Sequence, residues 1–308
     1  MDLTPVILLV VFGLQTAVPI GIAAEGELVT EKSGILNIGI YGAMLIPAFV
    51  AAAVNVALGR SLGADSAYVG VAAAMVAGAG LNFVFAFLST KIHVDQVIAG
   101  IGINIFAVGI TYVFLERYYT IDGTPNGNTI APLFSVGGLA NGVQIAISPL
   151  VAVMFIVPIL VFIFLRRSKL GLHIRAVGEN PKAAEAAGID VAKTRMLATS
   201  IGGLLLGLGG AYFTVDYNPN FTPDPTQSVI PAFIALAAVI AGGWEPGYVL
   251  GMSILFGVTA ALQPVLDLTS VQDYLLFTLP YIVTVAALGI AAKRLRPPAA
   301  LGAPYKKE

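Results

Sequence analysis

The chain has 308 residues, of which 57% are hydrophobic and 11% are charged, and its mean hydropathy is +0.90. Because soluble domains average about 25% charged residues, this composition excludes an ordinary soluble protein and indicates an integral membrane protein. The net charge of −1 gives no case for nucleic-acid binding, and the lack of cysteine excludes disulfides, thiolate catalysis and cysteine-ligated metals.

Nine uncharged apolar runs approach the length of about 20 residues that a helix needs to cross a bilayer. In chain order they are Thr4–Ala24, Ile35–Leu58, Ala67–Leu88, Gln96–Leu115, Ile147–Leu165, Met196–Val215, Ile230–Trp244, Tyr248–Leu266 and Tyr274–Ala292. The first run lacks a positive n-region and is too long for a signal peptide, so it is expected to remain as a span. The sequence therefore predicts an all-α integral membrane protein, a polytopic bundle of about nine transmembrane helices. The run Ile230–Trp244 is short, which leaves open a full span or a broken helix.

Lys and Arg residues are distributed unevenly between the segments that connect these spans. Seven of the sixteen lie in residues 166–195 and five lie in the last sixteen residues, whereas only Arg60 and Arg117 fall on the opposite side. Because positively charged loops stay in the cytoplasm, the N-terminus is predicted outside and the C-terminus inside. We expect a single transmembrane domain over residues 1–295, with a frayed cytoplasmic tail at 296–308.

Small residues at helical spacing occur in several spans, for example Gly70, Ala74 and Gly78, and Gly203 and Gly207. Small residues four positions apart allow helix backbones to approach closely in lipid. This pattern predicts a compact bundle and says nothing about what the protein carries.

The basic segment 166–195 contains a short helix whose two ends are both marked in the sequence. Asn180 is a good N-cap, Pro181 suits the first helical position, and Gly188 can adopt the left-handed conformation that ends a helix. About two turns of isolated helix are unstable in water, so this helix is expected to need a partner.

The sequence lacks the usual marks of catalysis. The dipeptide Gly-Lys never occurs, which excludes a P-loop. The two histidines, His93 and His173, belong to no cluster of histidines and acidic residues at metal-ligand spacing. We predict no catalytic residue and no metal site. Every charged residue falls outside the nine predicted spans, which disfavours an ion-coupled carrier because such carriers usually bind their ion to a charged group at membrane depth.

Four stretches of the chain carry a resemblance to a known family. They are Glu31–Ala52 (EKSGILNIGIYGAMLIPAFVAA), Gly171–Tyr212 (GLHIRAVGENPKAAEAAGIDVAKTRMLATSIGGLLLGLGGAY), Phe233–Gly257 (FIALAAVIAGGWEPGYVLGMSILFG) and, more weakly, His93–Asn104 (HVDQVIAGIGIN). With these stretches the chain resembles the permease subunits of ABC importers in the branch for branched-chain amino acids, simple sugars and nucleosides. It looks most like the nucleoside permeases of the basic-membrane-protein type and the simple-sugar permeases. It departs from the family pattern at Tyr41, where an acidic residue is usual, and at Glu25, where an apolar residue is usual.

The resemblance implies a non-enzymatic permease subunit of an ATP-binding-cassette importer in the cell membrane, carrying a nucleoside or related small polar solute. It also implies that the capped helix is a coupling helix, docking on a separate ATPase subunit that holds ATP and Mg, with no cofactor in this chain. The implied coupling residues are Glu179, Asn180, Pro181, Lys182, Ala183, Ala184, Glu185, Ala186, Ala187 and Gly188. The implied partners are ABC ATPase subunits, a paralogous second permease chain in a heterodimer, an extracytoplasmic substrate-binding protein and membrane lipid.

Uncharged polar side chains inside the spans are the candidates for the solute pathway, because they can hydrogen-bond a neutral solute without trapping it. The same side chains can instead bond one helix to another. The candidates are Asn104, Asn82, Asn37, Gln15 and Gln263, with Phe233 as an apolar wall; Asn104 leads because it lies mid-span. A simple-sugar or branched-chain amino acid permease, an ion-coupled secondary transporter and a passive facilitator stay open as alternatives.

Overall fold

The computed structural model describes residues 4–120, 123–136, 145–222, 225–266 and 296–306, together with residues 278, 282, 283, 285, 286 and 289. The described residues form helices and one short antiparallel hairpin. In chain order the elements are α1 (Thr4–Glu31), α2 (Ile40–Leu62), α3 (Asp65–Thr90), α4 (Gln96–Tyr118), β1 (Phe134–Val136), β2 (Ile145–Ile147), α5 (Pro149–Arg167), α6 (Lys169–Glu179), α7 (Pro181–Ala186), α8 (Val191–Tyr212) continued by a π-helix (Phe213–Tyr217), α9 (Pro225–Ala241) and α10 (Pro246–Leu266).

The predicted helical membrane bundle is confirmed. Six helices, α1 to α5 and α8 with its π-helical extension, are long and apolar enough to cross a membrane, and α9 and α10 contain shorter apolar helices. Eight of the nine predicted apolar runs overlap these eight helices, six of which have the length of a membrane span. The ninth, Tyr274–Ala292, lies largely outside the described residues.

The connections between helices lie at two opposite ends of the bundle. At one end, called the α7 end, the backbone N–H of Leu36 donates to Gln96 Oε1 at 2.7 Å and Arg166 pairs with Glu245 at 3.1 Å. At the other end, called the hairpin end, Asn55 Nδ2 donates to the Asn128 carbonyl at 2.8 Å. The helices therefore run alternately up and down between the two ends.

Helix α8 lies at the centre and packs against α1, α2 and α3. Glycines allow this close approach, since a side chain at Gly78 would collide with the backbone of Gly203 and Gly207, and one at Gly207 would collide with the Ala74 carbonyl. The packing predicted for these small residues is confirmed. It supplies the van der Waals contact that holds helices together in lipid.

The prediction that no charged side chain enters the membrane helices is wrong. Helix α1 runs seven residues past the predicted end at Ala24, so Glu25, Glu27 and Glu31 lie within it, and all three are 0% exposed. Helix α8 begins at Val191, which brings Arg195 inside at 2% exposure. A charged residue does not end a helix, because glutamate and arginine are good helix formers, and only the surrounding helices decide whether the side chain is buried.

Candidate functional site

The short capped helix predicted at residues 180–188 is confirmed as α7. Asn180 Oδ1 accepts a hydrogen bond from the backbone N–H of Ala183 at 3.0 Å, and Pro181 is the first helical residue. Gly188 has a φ of +85° and ends the helix, while the N–H of Ile189 donates to the Ala184 carbonyl at 3.0 Å. The residues at both ends of α7 thus have the roles that their residue types favour: Asn180 caps the start and Gly188 ends the helix.

The four alanines of the predicted coupling residues differ in their exposure. Ala184 is only 4% exposed and packs with Val177 and Val191, so it faces the protein. Ala183, Ala186 and Ala187 are exposed, and so are Glu179, Asn180, Lys182 and Gly188, whereas Glu185 is half-buried. The outward surface of α7 is therefore small and polar, with Ala184 as its anchor to the bundle.

Helix α6 precedes α7 and was not expected from the sequence. Ser168 caps it by accepting from the N–H of Gly171 at 2.9 Å, and its buried side includes Gly171, Ile174 and Val177. Arg175 Nε donates to the Leu165 carbonyl at 3.0 Å, which ties α6 to the end of α5. The sequence signal that could have predicted α6 is a capping residue, Ser168, followed by small or apolar residues spaced by three.

The C-terminal segment 296–306 packs against the α7 end, so the expectation of a frayed tail is wrong. The N–H of Ala300 donates to the Gly178 carbonyl at 2.9 Å, and the N–H of Gly302 donates to the Gly34 carbonyl at 3.0 Å. The Tyr305 hydroxyl donates to the carboxylate of Glu185 on α7. This segment, called the tail strap, joins α6, α7 and the α1–α2 connection. Its bonds link residues that are far apart in the sequence, so they could not be predicted from neighbouring residues.

Three buried side chains, from α1, the α1–α2 connection and α3, form a continuous hydrogen-bonded group called the buried polar cluster: Glu27, Asn37 and Asn82. Glu27 Oε2 accepts from Asn37 Nδ2 at 3.2 Å, and Glu27 Oε1 accepts from the Asn37 N–H at 3.3 Å. Asn37 Nδ2 also donates to Asn82 Oδ1 at 3.0 Å, and Asn82 Nδ2 donates to the Gly78 carbonyl at 2.9 Å. Two pathway candidates thus meet a glutamate that was not among them. None of the three is more than 1% exposed.

Two further buried acids and one buried base lie near the same end of α1. The Trp244 indole N–H donates to the carboxylate of Glu31, and Arg195 Nε donates to the Ser33 carbonyl at 3.1 Å. Neither carboxylate oxygen of Glu25 has a hydrogen-bond partner in the described part of the chain. The uncharged predicted spans were an argument against an ion-coupled carrier. Because charged residues are buried in the helices, that argument does not hold.

The remaining pathway candidates are separated in the structure. Asn104 Oδ1 accepts from the N–H of Gly42 at 2.9 Å and its Nδ2 donates to the Ile38 carbonyl at 3.0 Å, so α4 caps the first turn of α2. Gln15 Nε2 donates to the Ala146 carbonyl at 2.9 Å near the hairpin end. Phe233 is 42% exposed, and the side chain of Gln263 lies outside the described residues. A pathway role for these residues stays a prediction.

The chain was compared with protein families and with other proteins. A family model described as the permease component of branched-chain amino acid transport systems matches residues 9–288. The guanosine ABC transporter permease protein NupQ of Bacillus subtilis is 32% identical, over 100% of this chain and 99% of that protein. The putative glucose ABC transporter permease protein TsgC13 of Haloferax volcanii is 32% identical over 96% of each chain. The nucleoside ABC transporter permease protein NupC of Lactococcus lactis is 27% identical, over 94% of this chain and 93% of that protein. No solved structure matches the chain.

Proposed function

The chain belongs to the family of permease components of branched-chain amino acid transport systems, and we propose that it is the transmembrane permease subunit of an ABC importer for nucleosides. It is a multi-pass protein of the cell membrane. The observation that carries the proposal is the match along the whole chain to a guanosine permease, together with a second nucleoside permease among the relatives.

A simple sugar is the second candidate for the transported solute. The relative described as a putative glucose permease has the same 32% identity over 96% of this chain. In either case the chain is a transport subunit rather than an enzyme. ATP and Mg would be held by a separate ATPase.

In this proposal α7 is the coupling helix. The basic residues at the α7 end favour a cytoplasmic location by the positive-inside rule, with the N-terminus outside and the C-terminus inside. The exposed side of α7 is small and polar, which suits docking into a cleft on the ATPase. The tail strap and the packing of Ala184 against Val177 and Val191 connect α7 to α6 and α8. Movement of the ATPase would thereby reach the membrane helices.

Two further partners belong to the proposal. A binding protein would deliver the solute at the hairpin end, which lies opposite α7. A second permease chain would complete the channel, and we propose a paralogue, since Lactococcus lactis has separately named nucleoside permease proteins NupB and NupC. Together with the ATPase subunits these chains form the full importer.

The experiment that tests the proposal is uptake into proteoliposomes that hold the complete importer with its binding protein. We expect ATP-dependent, vanadate-sensitive uptake of labelled guanosine that exceeds uptake of glucose and leucine. Preferred glucose uptake would support the sugar alternative. Uptake that follows an ion gradient and needs no ATP would refute the importer itself.

A pair of variants tests the role of α7 in the same assay. Ala186→Arg places a long charged side chain on the exposed side of α7, where arginine remains a good helix former. We expect it to abolish guanosine-stimulated ATP hydrolysis while the protein remains folded. Lys169→Ala, on an exposed position of α6, is the control and should keep the stimulated rate. Equal rates in both variants would contradict docking through α7.

A further inference from the structure

A cavity of about 510 Å³ opens at the α7 end between α1, α5, α6 and the α9–α10 turn. Its lining includes three basic residues, Lys32, Arg166 and Arg175, and two acidic residues, Glu179 and Glu245. The described side chains of the cavity therefore carry an excess of positive charge. Part of the wall is aromatic or aliphatic, so the cavity borders on the apolar part of the bundle.

An apolar groove of about 610 Å³ continues from this cavity along α5 and α10. Phe155, Pro158, Ile159 and Leu250 line the groove, and Phe162 and Glu245 line both spaces. The α5 residues recur at intervals of three and four, which places them on one face of the helix. From Phe155 to Phe162 this face extends about 10 Å along the helix axis.

We propose that the cavity and the groove together bind one anionic glycerophospholipid, with its phosphate among Lys32, Arg166 and Arg175 and an acyl chain along α5. A basic pocket that lies between helices at the membrane surface suits an acidic headgroup. The apolar groove leads from that pocket towards the hydrocarbon layer. The arrangement thus matches the two chemically different parts of a single lipid molecule.

The basic side chains are positioned for an anion and are incompletely neutralised. Lys32 forms no ion pair with any residue that the structure describes, and burial lowers its pKa below the usual lysine range. Arg175 and Leu165 both line the cavity, and the bond from Arg175 Nε to the Leu165 carbonyl holds the guanidinium at this wall. Arg166 lies 4.8 Å from the Phe162 ring centre and pairs with Glu245. A phosphate group would compensate the charge of Lys32 and so reduce the cost of its burial.

The proposed lipid site does not depend on which solute is transported. It is tested with the complete importer in nanodiscs that contain equal amounts of phosphatidylglycerol and phosphatidylcholine. Lipids that remain bound after detergent extraction are identified by native mass spectrometry. We expect wild-type protein to retain phosphatidylglycerol in preference to phosphatidylcholine. Replacing Lys32 and Arg175 together by Gln should weaken phosphatidylglycerol binding by about 30-fold, since each basic residue near an anionic surface contributes about a fivefold factor.

One control and one further variant distinguish binding at this site from general attraction between charges. Arg167→Gln removes an exposed neighbouring charge outside the cavity and should leave retention unchanged. Ile159→Trp narrows the groove at an exposed position, so it should lower retention of the lipid even if the double variant fails to fold. Equal retention of the two lipids, or an equal loss with Arg167→Gln, would overturn the proposal. Displacement of the lipid by millimolar inorganic phosphate alone would also overturn it, because the site would then be one for a free anion.

Discussion

The surface of α7 and the buried polar cluster are both polar regions at the same end of the bundle, but they are built in opposite ways. Helix α7 is specified by residues within one stretch of nine, Asn180 to Gly188, and most of its side chains are exposed. Glu27, Asn37 and Asn82 come from distant parts of the chain and are buried. The first region is available to a partner, whereas the second holds helices to each other.

Substitutions in the two regions should therefore change different properties of the protein, docking in one case and stability in the other. A surface substitution usually changes the free energy of unfolding by less than about 0.5 kcal/mol, so a variant on α7 tests docking. Leaving a buried polar group without its partner costs about 1–3 kcal/mol, so a variant in the cluster tests the stability of the bundle. The comparison would be wrong if variants on α7 mainly lowered stability or if variants in the cluster left stability unchanged.

The largest effect is expected for Glu27→Ala. It removes the acceptor of the Asn37 backbone N–H and one of the two acceptors of the Asn37 side-chain amide, which still donates to Asn82. We therefore expect a loss of about 3 kcal/mol in the free energy of unfolding. Thermal unfolding in detergent measures the change. Glu27→Gln keeps one acceptor oxygen and should lose less. If the alanine variant is as stable as the wild type, the cluster does not hold the helices together.

Asn104→Leu tests the residue that has both a structural and a predicted transport role. Loss of its two bonds to Gly42 and Ile38 should lower the free energy of unfolding by about 2 kcal/mol. Uptake is then measured per folded protein, with Ile105→Leu as a neighbouring control on an exposed position. Wild-type uptake by the folded variant would remove Asn104 from the solute pathway and leave it as a helix cap.

Gly188→Val acts on α7 alone. A β-branched residue is strained at a φ of +85° by about 1–3 kcal/mol, and we expect the end of α7 to change while the bundle stays folded. Guanosine-stimulated ATP hydrolysis should fall, as measured on the reconstituted importer. Gly188→Asn tolerates the left-handed conformation better and should retain more activity. Equal loss in the two variants would mean that the backbone conformation is not what matters.

The smallest effect is expected for Tyr305→Phe in the tail strap. It removes one hydrogen bond to Glu185, which should cost about 1 kcal/mol and weaken the connection between α7 and the rest of the bundle. We expect a modest fall in stimulated ATP hydrolysis, with Lys306→Gln on the exposed neighbour as the control. If the Tyr305→Phe variant matches the wild type in both stability and ATP hydrolysis, the strap does not support α7.

Features that depend on neighbouring residues could be predicted from the amino-acid sequence alone. The apolar runs predicted the positions of α1 to α5 and α8 to α10, because the cost of burying an unpaired backbone group forces such runs to be helical. The ends of α7 followed from Asn180, Pro181 and Gly188, since each makes a bond or adopts a φ within one turn. These interactions are local and need no knowledge of the fold.

Which polar groups are buried, and what they contact, depends instead on how the helices pack. Asn37 and Asn82 are separated by 45 positions, and Tyr305 and Glu185 by 120, so no short window contains either pair. Glu25, Glu27 and Glu31 lie beyond the last apolar residue of the predicted span, yet they are buried because α1 continues between its neighbours. The cost of burying a charge depends on its partners, and those partners are brought together only by helix packing.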